Sequence, residues 1–459
     1  EQLVMPHEQV HPTEHESILG LRGPVPYSRA ELEVYFRHLK DLARPAGGSR
    51  ASLRRALSAT DLQAVSNEIS STTEHPVGGV YFQEQARMLR EAGMTVGVVY
   101  PEHHSLRRLS PAAIWRNRFQ TEWTSEPVPT LRRCGWNVWS RLRWGLQGRI
   151  ETAVDLAEQY IERRGRPDVV HAHSAQWAAA AAARIQERTG IPYVVTEHFS
   201  GYREGTVFPW QWSLIREGLR NAGAIACVSR SLKEDIVTRG LAHPTNVTVI
   251  PNPVDPCFFQ PPAERSTSTE FRLLSVNRLV PNKRVGLLLR AVAHLPEPLR
   301  DRVRVRVVGD GPEAGPLRRL ARELGLSSRV RFAGALDRPG VRRAYAGADA
   351  LVVTSRVETF GLVLTEAMAC GLPAVSTRCG GPEDIVTAAT GLLVPVDDQP
   401  ALTAALAALA RDSNPRFDPE TIRSVAVDRY GPASFVQQTR SLYAQAGIGG
   451  AARPPSPPS

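Results

Sequence analysis

Glu358 and Glu366 lie eight residues apart in the stretch Glu358-Thr-Phe-Gly-Leu-Val-Leu-Thr-Glu366. Between them, the Phe360-Gly361 pair opens an apolar run of helical composition. A glycine turn at a helix start leaves backbone N–H groups uncommitted at the positive end of the helix dipole, which suits a phosphate. The first carboxylate falls just before the expected helix start and the second about a turn and a half inside it. One cradle could hold an anionic phosphate between two hydrogen-bonding carboxylates, as a nucleotide-sugar requires. Chance often supplies such a spacing, so its surroundings must decide what it means.

Upstream, the strand-like segment SVNRL ends in Arg278, and Lys283 follows five residues later. A guanidinium fork and an ammonium point charge could converge on one diphosphate and counter the charge of a departing nucleoside diphosphate. Two solvated loop cations are the plain alternative. Lysine occurs only at Lys40, Lys233 and Lys283 among 56 basic residues, a bias that GC-rich coding explains. Gly309-Asp310-Gly311-Pro312 reads as a turn. Gly380-Gly381-Pro382-Glu383 ends one strand and opens a helix. Its amides could meet a sugar or phosphate, while Glu383 complements the helix dipole. Gly78-Gly79 precedes another helix and could admit a ligand close to the backbone. His171, His173 and His198 stand at carboxyl ends of expected strands, where a histidine is either structural or faces a cleft. There is no DxD motif or His/Cys cluster, so no metal site is expected. Nor is there a GxSxG, a P-loop or a GxGxxG after a strand.

These residues need a frame, and the hydrophobic pattern supplies one. From about Leu62 the chain repeats strand, turn and helix: LQAVSNEIS, VYFQEQARMLREAG, MTVGVVY, then PDVVHAH, PYVVTEH, GAIACVS and NVTVIPN. Short apolar runs alternating with helices predict a parallel sheet covered on both faces. The Pro-, Ser- and Thr-rich segment from Pro253 to Thr269 reads as an interdomain linker. A second set follows: FRLLSVNRL, RVRVRVVGDG, RVRFAGAL, ADALVVTS, PAVSTRC and GLLVPV. The expected organisation is an extension over 1–62, largely mobile but with a capped helix from Ser28, and domains over 63–262 and 268–430. A helix over 431–449 returns to the first domain, and 450–459 form a disordered tail. Ligands of such sheets bind at the carboxyl ends of the strands. Region 105–150 is less regular and holds five of the eight tryptophans, Trp115, Trp123, Trp136, Trp139 and Trp144. It reads either as an interfacial helix or as a patch packing its own aromatics.

An apolar content of 42% and a charged content of 22% over 459 residues suit two or three globular domains. No run approaches the ~18 apolar residues of a membrane span, and the polar, acidic first residues predict no secretory signal. Five cysteines without a CxxC spacing point to a reducing compartment. A cytoplasmic location is expected. The net charge of +10 leaves open peripheral contact with the inner membrane face. The arginines are dispersed and form no basic run interleaved with stacking aromatics, which argues against nucleic acid.

The segments GGVYFQEQARMLREAG, PDVVHAH, VTEH, ACVSRSLKED, VIPNPVD, SVNRLVPNK, VVGDGP, VRFAGAL, ADALVVTSRVETFGLVLTEAMACGLPAVSTRCGGPEDIV and TGLLVPVDD occur in this order. Together they resemble the retaining glycosyltransferases of family 4, which have the GT-B fold of two Rossmann-like domains facing across a cleft. The resemblance runs from about residue 65 to 435, and its most specific block is ETFGLVLTEAMACGLPAV. It implies that Arg278 and Lys283 bind the donor diphosphate and that Glu358 contacts sugar hydroxyls. Amides around Phe360, Gly361 and Leu362 would approach sugar and phosphate, Glu366 would hold the ribose, and the loop from Gly334 to Leu336 would frame the base. Gly78, Gly79 and His198 would face the reacting centre and acceptor, with His171 and His173 on the same side. The implied reaction retains anomeric configuration, uses a nucleotide-diphosphate sugar as co-substrate with no other cofactor, and takes a hydroxyl acceptor. A sugar-nucleotide epimerase or phosphorylase of the same fold is the rival enzyme. A basic membrane- or nucleic-acid-binding protein is the rival non-enzyme. Two departures stand out. About 60 residues precede the first strand, either a misassigned start or a lineage-specific appendage, and STTEHPV before the glycine loop leaves its acceptor contacts open.

Overall fold

The computed structural model describes residues 61–66, 80–105, 121–124, 128–137, 143–263, 269–411 and 417–447. The helix expected from Ser28, the tail 450–459, Gly78, Gly79, Trp115 and Trp139 lie outside these residues. No helix among the described residues is long and apolar enough to cross a membrane.

The described strands form two sheets. The first contains β1 (Asp61–Ser66), β2 (Thr95–Ser105), β3 (Thr121–Thr124), β4 (Thr130–Asn137), β5 (Val169–His173), β6 (Tyr193–Glu197), β7 (Ala224–Cys227) and β8 (Val247–Val249), in the order β3-β4-β2-β1-β5-β6-β7-β8. Only β3 runs antiparallel to its neighbour. The second contains β9 (Phe271–Val276), β10 (Val303–Val308), β11 (Val330–Gly334), β12 (Ala350–Val353), β13 (Ala374–Thr377) and β14 (Gly391–Val394), all parallel, in the order β11-β10-β9-β12-β13-β14. Each sheet reverses its winding beside its first strand. That reversal opens a crevice at the carboxyl edge, between β1 and β5 in one sheet and between β9 and β12 in the other.

Burial explains why these strands are legible in the sequence. β5, β6, β7, β12 and β13 are buried at every residue, as strands covered on both faces must be. The hydrophobic pattern does not announce β3 and β4. β4 carries two arginines, whose charges are met locally by Glu102 at 3.3 Å from Arg132 and by the Thr121 hydroxyl at 3.0 Å from Arg133. A half-polar strand at a sheet edge lacks the apolar run of a central one. The Trp123 ring lies 5.5 Å from Tyr160 and 4.9 Å beneath the Arg164 guanidinium, both on the helix Arg143–Arg164. At that point an aromatic of the tryptophan-rich region packs against residues outside it.

The segment from Pro253 has the composition of a linker, yet its first part is a built joint. Val254 N donates to Tyr430 O at 2.8 Å, and Phe259 is buried. The Arg423 guanidinium donates to the carbonyls of Pro256 and Phe259, each at 3.0 Å, and to that of Ala369. After the helix Pro419–Tyr430, the helix Pro432–Gln445 crosses back and packs on β7 and the helix Val80–Glu91. It contributes Phe435, Leu442 and Tyr443 to a core shared with Phe82, Met88 and Leu89.

The helix Ala178–Thr189 begins with six alanines, all buried. Small side chains let the helix Gln211–Arg220 approach closely. A Cβ at Gly218 would lie 2.6 Å from both Ala179 Cβ and the Ala180 amide nitrogen, and backbone cannot yield. Gly218→Ala should therefore destabilise the protein by about 1–3 kcal/mol despite its better helix propensity. The measurement is a urea unfolding curve, expected to shift its midpoint with its slope unchanged.

Candidate active site

At the carboxyl edge of the second sheet, the short turn Pro281–Lys283 docks on the segment after β12. Asn282 Nδ2 donates to Val357 O at 3.0 Å, and Val357 N donates to Asn282 Oδ1 at 3.1 Å. Arg356 N donates to Asn282 O at 2.8 Å, and Thr354 Oγ1 to Lys283 O at 2.9 Å. The turn is thereby fixed to the loop that carries Glu358. Its lysine ammonium forms an ion pair with Glu358 Oε1, which also accepts from Ser355 Oγ at 2.8 Å. Arg278, expected beside Lys283, is exposed just past β9 and makes no ion pair among the described residues.

Phe360 is buried, its ring 5.9 Å from Tyr430, so only its backbone can face a ligand. Gly361 has φ +107° and no side-chain cap, and the helix Leu362–Ala369 starts after it. Its first amides are thus left at a positive helix end. Glu366, one turn in, accepts from Tyr345 Oη at 2.8 Å. Burial pushes its carboxyl up to about 7, opposed by the Tyr345 bond and by Arg338. Gly334 sits in the left-handed region at φ +71°, its carbonyl accepting from Gly309 N at 2.8 Å. Leu336 is half-buried beside it, and Asp337 caps the following helix by accepting from Gly340 N at 2.8 Å. The Gly309–Pro312 turn is structural: a Cβ at Gly309 would stand 1.8 Å from Asn277 O.

The first sheet brings its three histidines together. His171 is buried, with Nδ1 2.9 Å from Tyr443 Oη and Nε2 2.7 Å from Thr196 Oγ1. Its ring stacks on His173 at 4.3 Å, and His173 Nδ1 lies 3.1 Å from His198 Nε2. Phe82 meets the rings of His173 and His198 edge-on. His198 is the most accessible of the three. Burial lowers His171 and His198 to about 3 and holds His173 well below its ordinary value, so all three are neutral near pH 7.

The two halves touch beside these groups. Asn282 Nδ2 also reaches Glu204 Oε1 at 3.1 Å, and Arg230 pairs with Asp384 at 2.5 Å. A Cβ at Gly380 would lie 2.8 Å from Ser231 Oγ. Glu84, on the helix after the glycine loop, pairs with Arg338, whose guanidinium lies 4.2 Å above the Phe258 ring. Sequence reasoning singles out neither Asn282 nor Glu197. Asn282 is an ordinary turn residue by composition. The signal for Glu197 is a carboxylate at the end of an apolar strand.

Two family models match the chain: Glycosyltransferase Family 4 over residues 78–258 and Glycosyl transferases group 1 over residues 259–421. The chain is 32% identical over 317 residues to a D-inositol 3-phosphate glycosyltransferase of Kribbella flavida, covering 63% of this chain and 73% of that one. It is 33% identical over 231 residues to a Homo sapiens phosphatidylinositol N-acetylglucosaminyltransferase subunit, covering 50% of this chain. It spans 47% of that human relative, about half its length. The structure of Anabaena HepE in complex with UDP and glucose superposes with a TM-score of 0.64 at 18% identity, covering 84% of this chain and 100% of that one. The two sheets are therefore those of a GT-B fold.

In the unfolded chain each of the three histidines would take up a proton near pH 6.5. Between that value and about 3 the unfolded chain holds more protons, so their stability contribution is full above pH 6.5 and declines as pH falls. Each adds a slope of up to about 1.4 kcal/mol per pH unit. Unfolding free energies measured by urea at about pH 7.5 and about pH 5.5 should show that loss, reduced by one proton's worth in His173→Asn. An unchanged slope in the variant would contradict the assignment.

Proposed function

The chain belongs to the group 1, family 4 glycosyltransferases, and on that premise we propose that it transfers a sugar from a nucleoside-diphosphate sugar to an acceptor hydroxyl, retaining anomeric configuration without a metal ion. The observation that carries this reading is the Lys283–Glu358 pair, fixed at the second sheet's edge by Asn282, which also donates to Glu204 of the first domain.

In the proposed reaction the diphosphate takes Lys283 and Arg278 as its counter-charges and the first amides of the helix Leu362–Ala369 as donors. These charges and amides supply the stabilisation that a bound divalent cation would otherwise give. Glu358 accepts sugar hydroxyls and Glu366 the ribose hydroxyls. The bond from the anomeric carbon to the phosphate oxygen breaks, and the acceptor oxygen bonds to that carbon from the same face. The acceptor's proton passes to an oxygen of the departing diphosphate, so no protein nucleophile is required. His198 lies on the acceptor side, and no other cofactor is needed. The net charge of +10 favours peripheral contact with an anionic membrane face.

UDP-N-acetylglucosamine is the first donor to test, because the human relative is named an N-acetylglucosaminyltransferase and the HepE complex holds UDP. The names of both relatives contain inositol, so inositol phosphates are the first acceptors. Mass spectrometry should find a glycosylated acceptor and free UDP. Conversion of the donor alone into another sugar nucleotide would indicate an epimerase instead.

Lys283→Ala should lower kcat by about 10²–10³ with a small change in donor KM, because its charge opposes charge that develops during departure. Glu366→Ala should chiefly weaken nucleotide binding, by about 10–100-fold, since hydrogen bonds to a charged group are lost. Unchanged kinetics in both variants would remove the site assignment.

The carboxyl of Glu366 titrates near 7, and hydroxyls donate to its ionised form. UDP affinity should therefore rise as pH passes upward through about 7. Calorimetry would compare wild type with Glu366→Gln, which carries the same ligand ionisation. A constant affinity ratio across pH would refute the role.

A further inference from the structure

Glu197 has no role in the reaction as proposed, yet it is the most completely bonded carboxylate beside the site. It ends β6, and its exposure is 0%. Oε1 accepts from His198 N at 2.7 Å and Phe199 N at 2.8 Å. Oε2 accepts from Ala175 N at 2.7 Å and Tyr202 Oη at 2.8 Å. All four partners are donors. Three of them are backbone N–H groups, which only donate, and the Tyr202 hydroxyl donates as the fourth; burial raises the carboxyl and these four bonds oppose that shift, so the arrangement suits an anion with each oxygen accepting two hydrogen bonds.

The four donors come from two loops that are remote in sequence. Ala175 follows β5; His198, Phe199 and Tyr202 follow β6. The first loop is strained: Ser174, buried, has φ +80°, a region that L side chains rarely adopt. Such a conformation persists only where its surroundings over-determine it. Ser174 N donates to Thr196 O at 2.7 Å, and the next amide is the one Glu197 takes.

The second loop leads directly to the donor side. Beyond Tyr202, Arg203 pairs with Asp235 at 2.7 Å, and Glu204 meets Asn282 at 3.1 Å. Asn282 in turn fixes Val357, the neighbour of Glu358. A continuous set of bonds runs from the Glu197 anion to the loop of the sugar-binding carboxylate.

We propose that Glu197 is the positioning residue of the acceptor side: its buried anion sets the backbone that places His198 and registers the helix Gly201–Glu204 against the Lys283 turn. The inference rests on the reading of His198 as acceptor-facing. It makes Glu197 a determinant of transfer rate and not of donor binding, since the nucleotide site lies in the other domain.

The test uses the full chain. Glu197→Gln keeps the shape but turns an amide N–H toward donors. Its UDP affinity by calorimetry should stay within about twofold of wild type, while kcat with UDP-N-acetylglucosamine falls about 50–100-fold, as a small misplacement produces. Tyr202→Phe deletes one donor and should lower kcat about fivefold. In protein labelled with 15N-histidine, the His198 ring resonances should shift in both variants. A Glu197→Gln protein that binds UDP normally, keeps kcat and leaves those resonances in place overturns the proposal. Should that variant fail to fold, Tyr202→Phe decides on the same two readouts. Wild-type protein that binds UDP without turnover counts against the transferase reading, and the His198 resonances then decide the positioning role alone.

Discussion

The site depends on how closely the loop after β12 lies against the turn after β13. Glu358 N donates to Cys379 O at 3.0 Å, and Gly381 N returns a bond to Glu358 O at 2.8 Å. A Cβ at Gly381 would stand 2.3 Å from Phe360 O, and one at Gly380, where φ is +118°, 2.7 Å from Glu358 O. No side chain fits either place. With the two segments in contact, Phe360 is turned inward onto Tyr430 and Gly361 must take a left-handed conformation. The following helix then starts in one direction, which fixes where Glu366 stands relative to Glu358. The Gly-Gly pair is better understood as the seat of the two-glutamate segment than as a ligand loop of its own.

The same constraint reaches the other domain, because the joint between them is packed. Arg423 gathers the carbonyls of Pro256, Phe259 and Ala369, so the crossing segment and the helix of Glu366 share one guanidinium. Arg230 and Asp384 also bridge the halves, but the arginine is largely exposed and such a pair contributes little. The Glu84–Arg338 pair is better shielded. Burial raises the Glu84 carboxyl, Arg338 opposes that shift, and the guanidinium rests on Phe258. It links the helix after the glycine loop to the helix after Gly334. Registration across the cleft therefore comes from shielded contacts near the joint and from Asn282–Glu204 near the candidate site.

What the sequence discloses follows from the range of each interaction. Both sheets are legible because strands buried on two faces read as apolar runs. The candidate donor side can be read as a unit because Glu358, Gly361 and Glu366 lie within one turn-and-helix segment. Lys283 stands out by its rarity, but its pairing with Glu358 spans 75 residues and leaves no local trace. The histidines can be named from the sequence but not ranked. His171 is tied to Tyr443, 272 residues away, and only that bond marks it as the interior member of the stack. Glu197 is invisible as an organiser because three of its partners are backbone amides, which any residue supplies. The Pro, Ser and Thr content after Pro253 conceals a packed joint. Phe258 and Phe259 are the contrary signal, since adjacent aromatics seek a packed surface.

The contrast between lysine and arginine gives the Lys283–Glu358 pair its physical logic. Arginine is this chain's default cation, and where a fixed joint is needed it grips with its fork. Arg272 holds both oxygens of Asp349, at 3.0 and 2.8 Å. An arginine in place of Lys283 could hold Glu358 in the same way and occupy both oxygens. The ammonium instead meets Oε1, where the Ser355 hydroxyl also bonds, and Oε2 takes no hydrogen bond among the described residues. Under the proposed function, one oxygen stays open to a sugar hydroxyl while the ammonium, with its three donors, can add a phosphate oxygen without surrendering the carboxylate. An open Oε2, rather than charge alone, suits a lysine at this position in a chain that otherwise uses arginine.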